Sequence, residues 1–333
     1  MTMIPMSFVK QTRAPDLIGR QPGASLFARG TAASAGEERH LPASVLPPVQ
    51  RLAMTLPNGD AADVHLPRGA APDCFGDALP VVAFLQGAFV DKADYSEVAG
   101  LIAAQGFVVV VPNHARTLPP FPQPVLFAEV DTVNAVYDAT AAANADPDSP
   151  LYRIVDTGHM GLVGHSLGGA IGLYAIAGLC QPGIGSSDPA TYRPPAALKA
   201  AAVYGTNLID RRSGEFRGVD TSAAAVAMLQ GSLDGIATMD KARQSYEALA
   251  RPRALVVIEG ANHYSICNRN NPPGAEQDPA EPGLPPDQGH DLIAHWTGLW
   301  LRAELLGDET ARSGFATGGG APDGAVKVLA AAR

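Results

Sequence analysis

Three cysteines in 333 residues, Cys74, Cys180 and Cys267, are odd in number and far apart, so no disulfide framework and no CxxC metal site can be read from them. They read as packing residues. The chain has no run of Lys or Arg, and its net charge of -9 argues against nucleic acid or an anionic membrane surface as partner. A small neutral or apolar molecule fits better. No apolar stretch reaches membrane-spanning length, and Met1 to Arg20 lacks the apolar core of a secretory signal. The expectation is therefore a cytoplasmic protein, with secretion left open if a leader was removed. What the chain does have is 46% hydrophobic residues, enough for a sizeable core, with 35 Gly and 29 Pro to serve many turns. Its length suits one large α/β domain.

Residues 1–48 are rich in Ala, Gly, Pro and charge without a sustained period, and read as an N-terminal extension. The segments Gln50 to Leu56 and Ala61 to Leu66 flank Pro57-Asn58-Gly59-Asp60, a hairpin signal. From there short apolar runs alternate with helical spacing. Strands are predicted at Val81 to Leu85, Phe107 to Val111, Gly161 to Gly164, Ala200 to Tyr204, Ala223 to Leu229 and Ala254 to Ile258. Helices are predicted at Tyr95 to Gln105, Phe127 to Ala143, Leu167 to Cys180, Ala237 to Ala250 and Asp291 to Leu305. Alternating βα units with fully apolar strands predict a mostly parallel central sheet covered by helices on both faces, over residues 49–306. Residues 307–333, with a Gly-Gly-Gly run, read as a loosely held C-terminal tail.

Within this frame Gly164-His165-Ser166-Leu167-Gly168 fills the pattern G-x-S-x-G between an apolar run and a helical one. A serine on so sharp a strand-to-helix turn needs glycine two residues to either side, because side chains there would collide. Ser166 is the candidate nucleophile. A hydroxyl is a poor nucleophile at neutral pH, so it requires a histidine to take its proton and an acid to hold that histidine's tautomer, in the chain order Ser, Asp or Glu, His. Asp234 follows an apolar strand and is the candidate acid. Asp210 and Asp220 lie in a polar loop, and Asp240 and Glu247 fall in the next helix. His263 follows the strand Ala254 to Ile258 by a short loop and is the candidate base. His290 and His295 sit at or in the last predicted helix, and His40, His65, His114 and His159 precede the serine.

A tetrahedral intermediate also needs two backbone N–H donors. Leu167, directly after the nucleophile, is one candidate. The loop Gln86-Gly87-Ala88-Phe89 supplies the other, from Ala88 with Phe89 as the fallback. Phe89, His165, Leu167, Ile236 and Tyr264 are candidates for an apolar substrate pocket. Only Thr206 to Ser222 separates the predicted strands at Ala200 and Ala223, too little for a large helical lid. The long Pro-, Asn- and Gly-rich insert Ser265 to Gly289 begins two residues after the candidate base. It could form one wall of the site or a surface excursion. Its Asp278, Glu281 and asparagines lack EF-hand spacing, and no metal site is assigned.

These segments, together with Tyr95-Ser96 and Ala104-Gln105-Gly106-Phe107-Val108-Val109-Val110, resemble the α/β-hydrolases. Within them the likeness is to the chlorophyllase, dienelactone hydrolase and polyester-hydrolase (cutinase-like) group over roughly residues 49–305. Ala88-Phe89 and Tyr95-Ser96 also resemble the platelet-activating-factor acetylhydrolases. The resemblance implies an α/β-hydrolase fold and a cofactor-free serine carboxylester hydrolase that acts on small to medium, largely apolar esters through an acyl-enzyme. It leaves open acyl transfer to an alcohol or amine, polyester cleavage, a phospholipase-like acetylhydrolase and a non-catalytic binding module. Two positions depart from the pattern. Gln86 stands where His precedes the oxyanion glycine, and the tryptophan that polyester hydrolases typically carry after the strand ending here in Val203-Tyr204-Gly205-Thr206 is absent, which weakens a polymer reading.

Overall fold

Seven-residue runs such as Leu79–Leu85 and Ala225–Gly231 have no polar face, so they are stable as strands only where helices cover both sides of the sheet. A computed structural model, which describes residues 46–70, 78–179, 192–210, 213–317 and 324–331, shows that arrangement. The chain runs β1 (Val49–Thr55), β2 (Ala61–Pro67), β3 (Leu79–Leu85), α1 (Ser96–Ala103), β4 (Val108–Asn113), β5 (Ala115–Arg116) and β6 (Val125–Leu126). It continues through α2 (Asp131–Ala145), β7 (Val155–His165), α3 (Leu167–Ile176), β8 (Leu198–Tyr204) and β9 (Ala225–Gly231). Last come α4 (Met239–Ala248), β10 (Arg253–Ile258), α5 (Pro286–Leu305), α6 (Glu309–Thr317) and β11 (Val326–Ala331).

The main sheet has the order β1-β2-β4-β3-β7-β8-β9-β10-β11. Its six central strands, β4 to β10, pair in parallel, and antiparallel strands lie at both edges. Helices α2, α3 and α4 enclose one core with Val81, Leu162 and Val203, and α1, α5 and α6 enclose the other with Val82, Phe84 and Val109. This is the α/β-hydrolase architecture, without a large helical lid: the stretch from Thr206 to Ser222 contains no helix among the described residues. No helix among the described residues is long and apolar enough to cross a membrane.

The end of the chain differs from the expected loose tail. Helix α6 docks Phe315 against Trp296 and Trp300 of α5, at ring separations of 5.2 and 5.1 Å, and β11 pairs antiparallel with β10 as the outermost strand. Ala311, Gly314 and Phe315 sit at helical spacing and are buried, a short signal overshadowed by the glycines that follow. Helix α5 also begins earlier than predicted, at Pro286, and β7 extends back to Val155. Of the N-terminal extension, residues 1–45 lie outside the described residues, as do Cys74 and Cys180; Cys267 is buried and free.

A charged network supports the loop after β3. His114 lies between Asp60 and Glu129, at 2.8 and 3.1 Å, and Arg116 also pairs with Glu129. Burial alone would lower the pKa of His114, but the hydrogen bonds and charges of the two carboxylates outweigh it and raise it from 6.5 to about 9. The raised value means the charged pair stabilises the fold fully below about pH 6.5 and is lost as pH rises through about 9. His114→Gln is therefore expected to lower the thermal midpoint at pH 6 and to approach the wild type above pH 9. Melting curves that stay parallel across that range would contradict it.

Candidate active site

The turn between β7 and α3 holds Ser166 at φ 52°, ψ -117°, a left-handed backbone that costs a non-glycine residue about 1–3 kcal/mol. Close packing enforces it. A Cβ at Gly164 would lie 2.5 Å from the Gly169 Cα, and one at Gly168 would lie 2.3 Å from the Leu85 carbonyl oxygen. Only glycines let the turn nest against its own helix and against the end of β3. The Ser166 side chain is thereby presented at the carboxyl edge of the sheet, with its N–H bonded to the Tyr204 carbonyl at 2.9 Å.

Asp234 and His263, 29 residues apart, come together beside this turn. The Asp234 Oδ2 lies 2.8 Å from the His263 Nδ1, and both side chains are sealed from solvent. A buried carboxylate is costly unless its lone pairs are used. Here Oδ1 accepts from the Ile236 and Ala237 N–H groups at 2.9 and 2.7 Å, leaving Oδ2 for the imidazole. The carboxylate accepts only, so His263 carries its proton on Nδ1 and Nε2 keeps a free lone pair. Gly205 links the dyad to the serine turn. It follows Tyr204, whose carbonyl holds Ser166, and a Cβ there would lie 3.0 Å from both Asp234 Oδ2 and His263 Nδ1.

The two candidate oxyanion donors face different fates in the loop after β3. The Phe89 N–H donates to the Leu126 carbonyl at 2.8 Å and is spent, which removes the fallback donor. Among the described residues the Ala88 N–H and the Leu167 N–H have no such partner. Leu167 opens α3, where the first N–H groups of a helix point outward and attract negative charge. The Gln86 side chain exchanges two 3.0 Å hydrogen bonds with the His114 backbone, so glutamine in place of histidine anchors this loop to β4 and its extension.

Two of the candidate pocket residues belong elsewhere. His165 is fully buried beneath the turn and lines no pocket: its Nε2 lies 3.0 Å from the His263 carbonyl and its Nδ1 lies 2.9 Å from the Tyr95 hydroxyl. A carbonyl only accepts, so Nε2 carries the hydrogen. Nδ1 then accepts from Tyr95, whose oxygen takes the Gly87 N–H at 2.8 Å. Burial, and after it the proximity of His263, holds the His165 pKa well below its ordinary value, consistent with this neutral tautomer. Tyr264 is also packed away, its hydroxyl bonded to the Glu276 carbonyl. Ile236, Leu167 and Phe89 remain partly exposed around the site, and Phe89, at φ 63°, packs edge-on against Phe121 at 5.4 Å. The helical and strand periods that locate elements carry no signal for the Tyr95–His165 link, because it joins residues 70 positions apart.

The insert Ser265 to Gly289 is not a free surface excursion. It is stitched to the loop before it and to the start of α1: Asn262 Nδ2 donates to Asn270 Oδ1 and to the Ala280 carbonyl, and Asn268 Nδ2 donates to the Ala93 carbonyl and Ser96 Oγ. Among the described residues no group of three or more His, Cys, Asp and Glu is arranged to hold a metal ion.

The chain has the α/β-hydrolase fold, with Ser166 on the turn from β7 into α3. Its family resemblance is to the chlorophyllases, whose family model matches residues 70–184, and this supports a serine ester hydrolase. The match takes in the Gln86 to Phe89 loop and the Ser166 elbow, and ends before Asp234 and His263. No curated protein matches the chain.

Proposed function

We propose that the protein is a serine carboxylester hydrolase that cleaves small to medium, largely apolar esters through an acyl-enzyme. The buried Asp234–His263 pair beside the strained Ser166 turn is the observation that carries this reading. Ser166 Oγ attacks the ester carbonyl while His263 Nε2 takes its proton, and Asp234 stabilises the imidazolium that forms. The negative charge that develops on the carbonyl oxygen accepts hydrogen bonds from the Ala88 and Leu167 N–H groups. Collapse expels the alcohol, protonated by His263, and water, deprotonated by the same nitrogen, then releases the acid.

The apolar character follows from the mouth. Phe89, Leu167 and Ile236, each partly exposed, and Phe121, packed edge-on against Phe89, supply hydrocarbon for an apolar acyl or alcohol group. p-Nitrophenyl esters of rising acyl length, with product analysis in the presence of a competing alcohol, test the proposal. Turnover of acetate to octanoate esters with free acid as the main product is expected. Absence of turnover with every ester by folded protein would overturn it, and predominant transfer to the alcohol would replace hydrolysis with acyl transfer.

A further inference from the structure

Asp278, in the irregular insert after β10, is 4% exposed, and its carboxylate is directed at backbone N–H groups of both loops that carry the dyad. Its Oδ2 accepts from the His263 N–H at 2.8 Å, and its Oδ1 accepts from the Gly235 N–H at 3.2 Å and the Ala280 N–H at 2.9 Å. Gly235 directly follows Asp234. A single carboxylate thus joins the acid loop to the base loop, from a third segment that contributes no atom to the reaction. Its own position is set by Asn271, whose Oδ1 accepts the Asp278 N–H at 2.7 Å, and by the Asn262 bonds to Asn270 and Ala280. The His263 backbone is held on its other side by the His165 Nε2–H to its carbonyl, so both backbone polar groups of that residue are fixed.

Resting on the function proposed above, we infer that Asp278 is a positioning residue for the reaction: it sets the separation and orientation of Asp234 and His263 by bridging Gly235 and His263. Burying a carboxylate against neutral N–H donors is costly compared with an apolar residue, and a bulk packing role would not require it. Two charge-assisted hydrogen bonds, one to each loop, and a third to Ala280 within the insert offset that cost, and the first two fix geometry at the same time. Misplacement of a reacting group by about 1 Å can reduce rate on the order of a hundredfold, so small losses in this bridge should be visible in turnover.

Two variants test the bridge from opposite ends. Asp278→Asn keeps shape but turns one acceptor into an NH2 group, which must face an N–H donor of one loop or the other. Gly235→Ala leaves Asp278 intact and places a Cβ 2.7 Å from its Oδ1 and 2.7 Å from Pro279 Cγ, so the insert has to move off the acid loop. Both are measured with p-nitrophenyl butyrate and by the low-field proton resonance of the Asp234–His263 hydrogen bond. Each variant is expected to lower kcat by roughly ten- to a hundredfold with KM within about twofold, and to shift or broaden that resonance. Wild-type kcat and an unmoved resonance in both variants would overturn the inference while leaving the hydrolase reading intact. If Asp278→Asn does not fold, Gly235→Ala alone decides by the same two readouts. A folded wild type that neither turns over the ester nor reacts with a fluorophosphonate would remove the hydrolase reading, and this inference with it.

Discussion

Ser166→Ala is expected to lose on the order of a millionfold in kcat on p-nitrophenyl butyrate and to abolish labelling by a fluorophosphonate. The alanine keeps the backbone of the elbow, because Cβ is unchanged and the turn is enforced by Gly164 and Gly168 and not by the hydroxyl. The fold and the melting temperature should therefore stay close to the wild type, which separates loss of the nucleophile from loss of structure. Residual hydrolysis should come only from substrate binding and the Ala88 and Leu167 donors. Turnover within about tenfold of the wild type would show that another group attacks the ester.

Asp234→Asn carries the second largest expected effect, about ten-thousandfold in kcat, through the proton on His263. Oδ1 of Asp234 accepts from two N–H groups, Ile236 and Ala237, so an asparagine settles with its oxygen there. Its NH2 then occupies the place of Oδ2, 2.8 Å from His263 Nδ1, and can only donate. The imidazole is forced to carry its hydrogen on Nε2, where it can no longer accept the serine proton. Steady-state kinetics across pH 6 to 10 check this. The loss should be largest near neutrality and should shrink at high pH, where hydroxide can replace the base. A variant with wild-type kcat at pH 7 would mean that Asp234 does not set the tautomer.

The parts of the architecture legible in sequence were those with a local physical cause. Apolar runs without a polar face required a sheet covered on both sides, and Leu79–Leu85 and Ala225–Gly231 lie in such a sheet. The Gly164 and Gly168 spacing reflects a steric demand that the turn makes of any sequence, and it located Ser166. Asp234 and His263 were read from strand ends, and the structure brings those two side chains within hydrogen-bond reach. Contacts with no local cause were not legible. Tyr95 looked like the start of a helix, His165 like a pocket residue and Asp278 like one acid in a polar insert. Their partners lie 70, 98 and 15 residues away, respectively. The closing helix and edge strand were hidden by the glycine run between them, since weak apolar spacing over six to nine residues does not outweigh a strong breaker.

In the proposed mechanism Ser166, activated by His263 and Asp234, forms the covalent intermediate. Mass spectrometry of the digested protein after brief exposure to a fluorophosphonate tests it most directly. The expected result is a single stoichiometric adduct on the peptide containing Ser166, formed far more slowly in Asp234→Asn. An adduct on a different residue, or one that forms unchanged in Ser166→Ala, would contradict it.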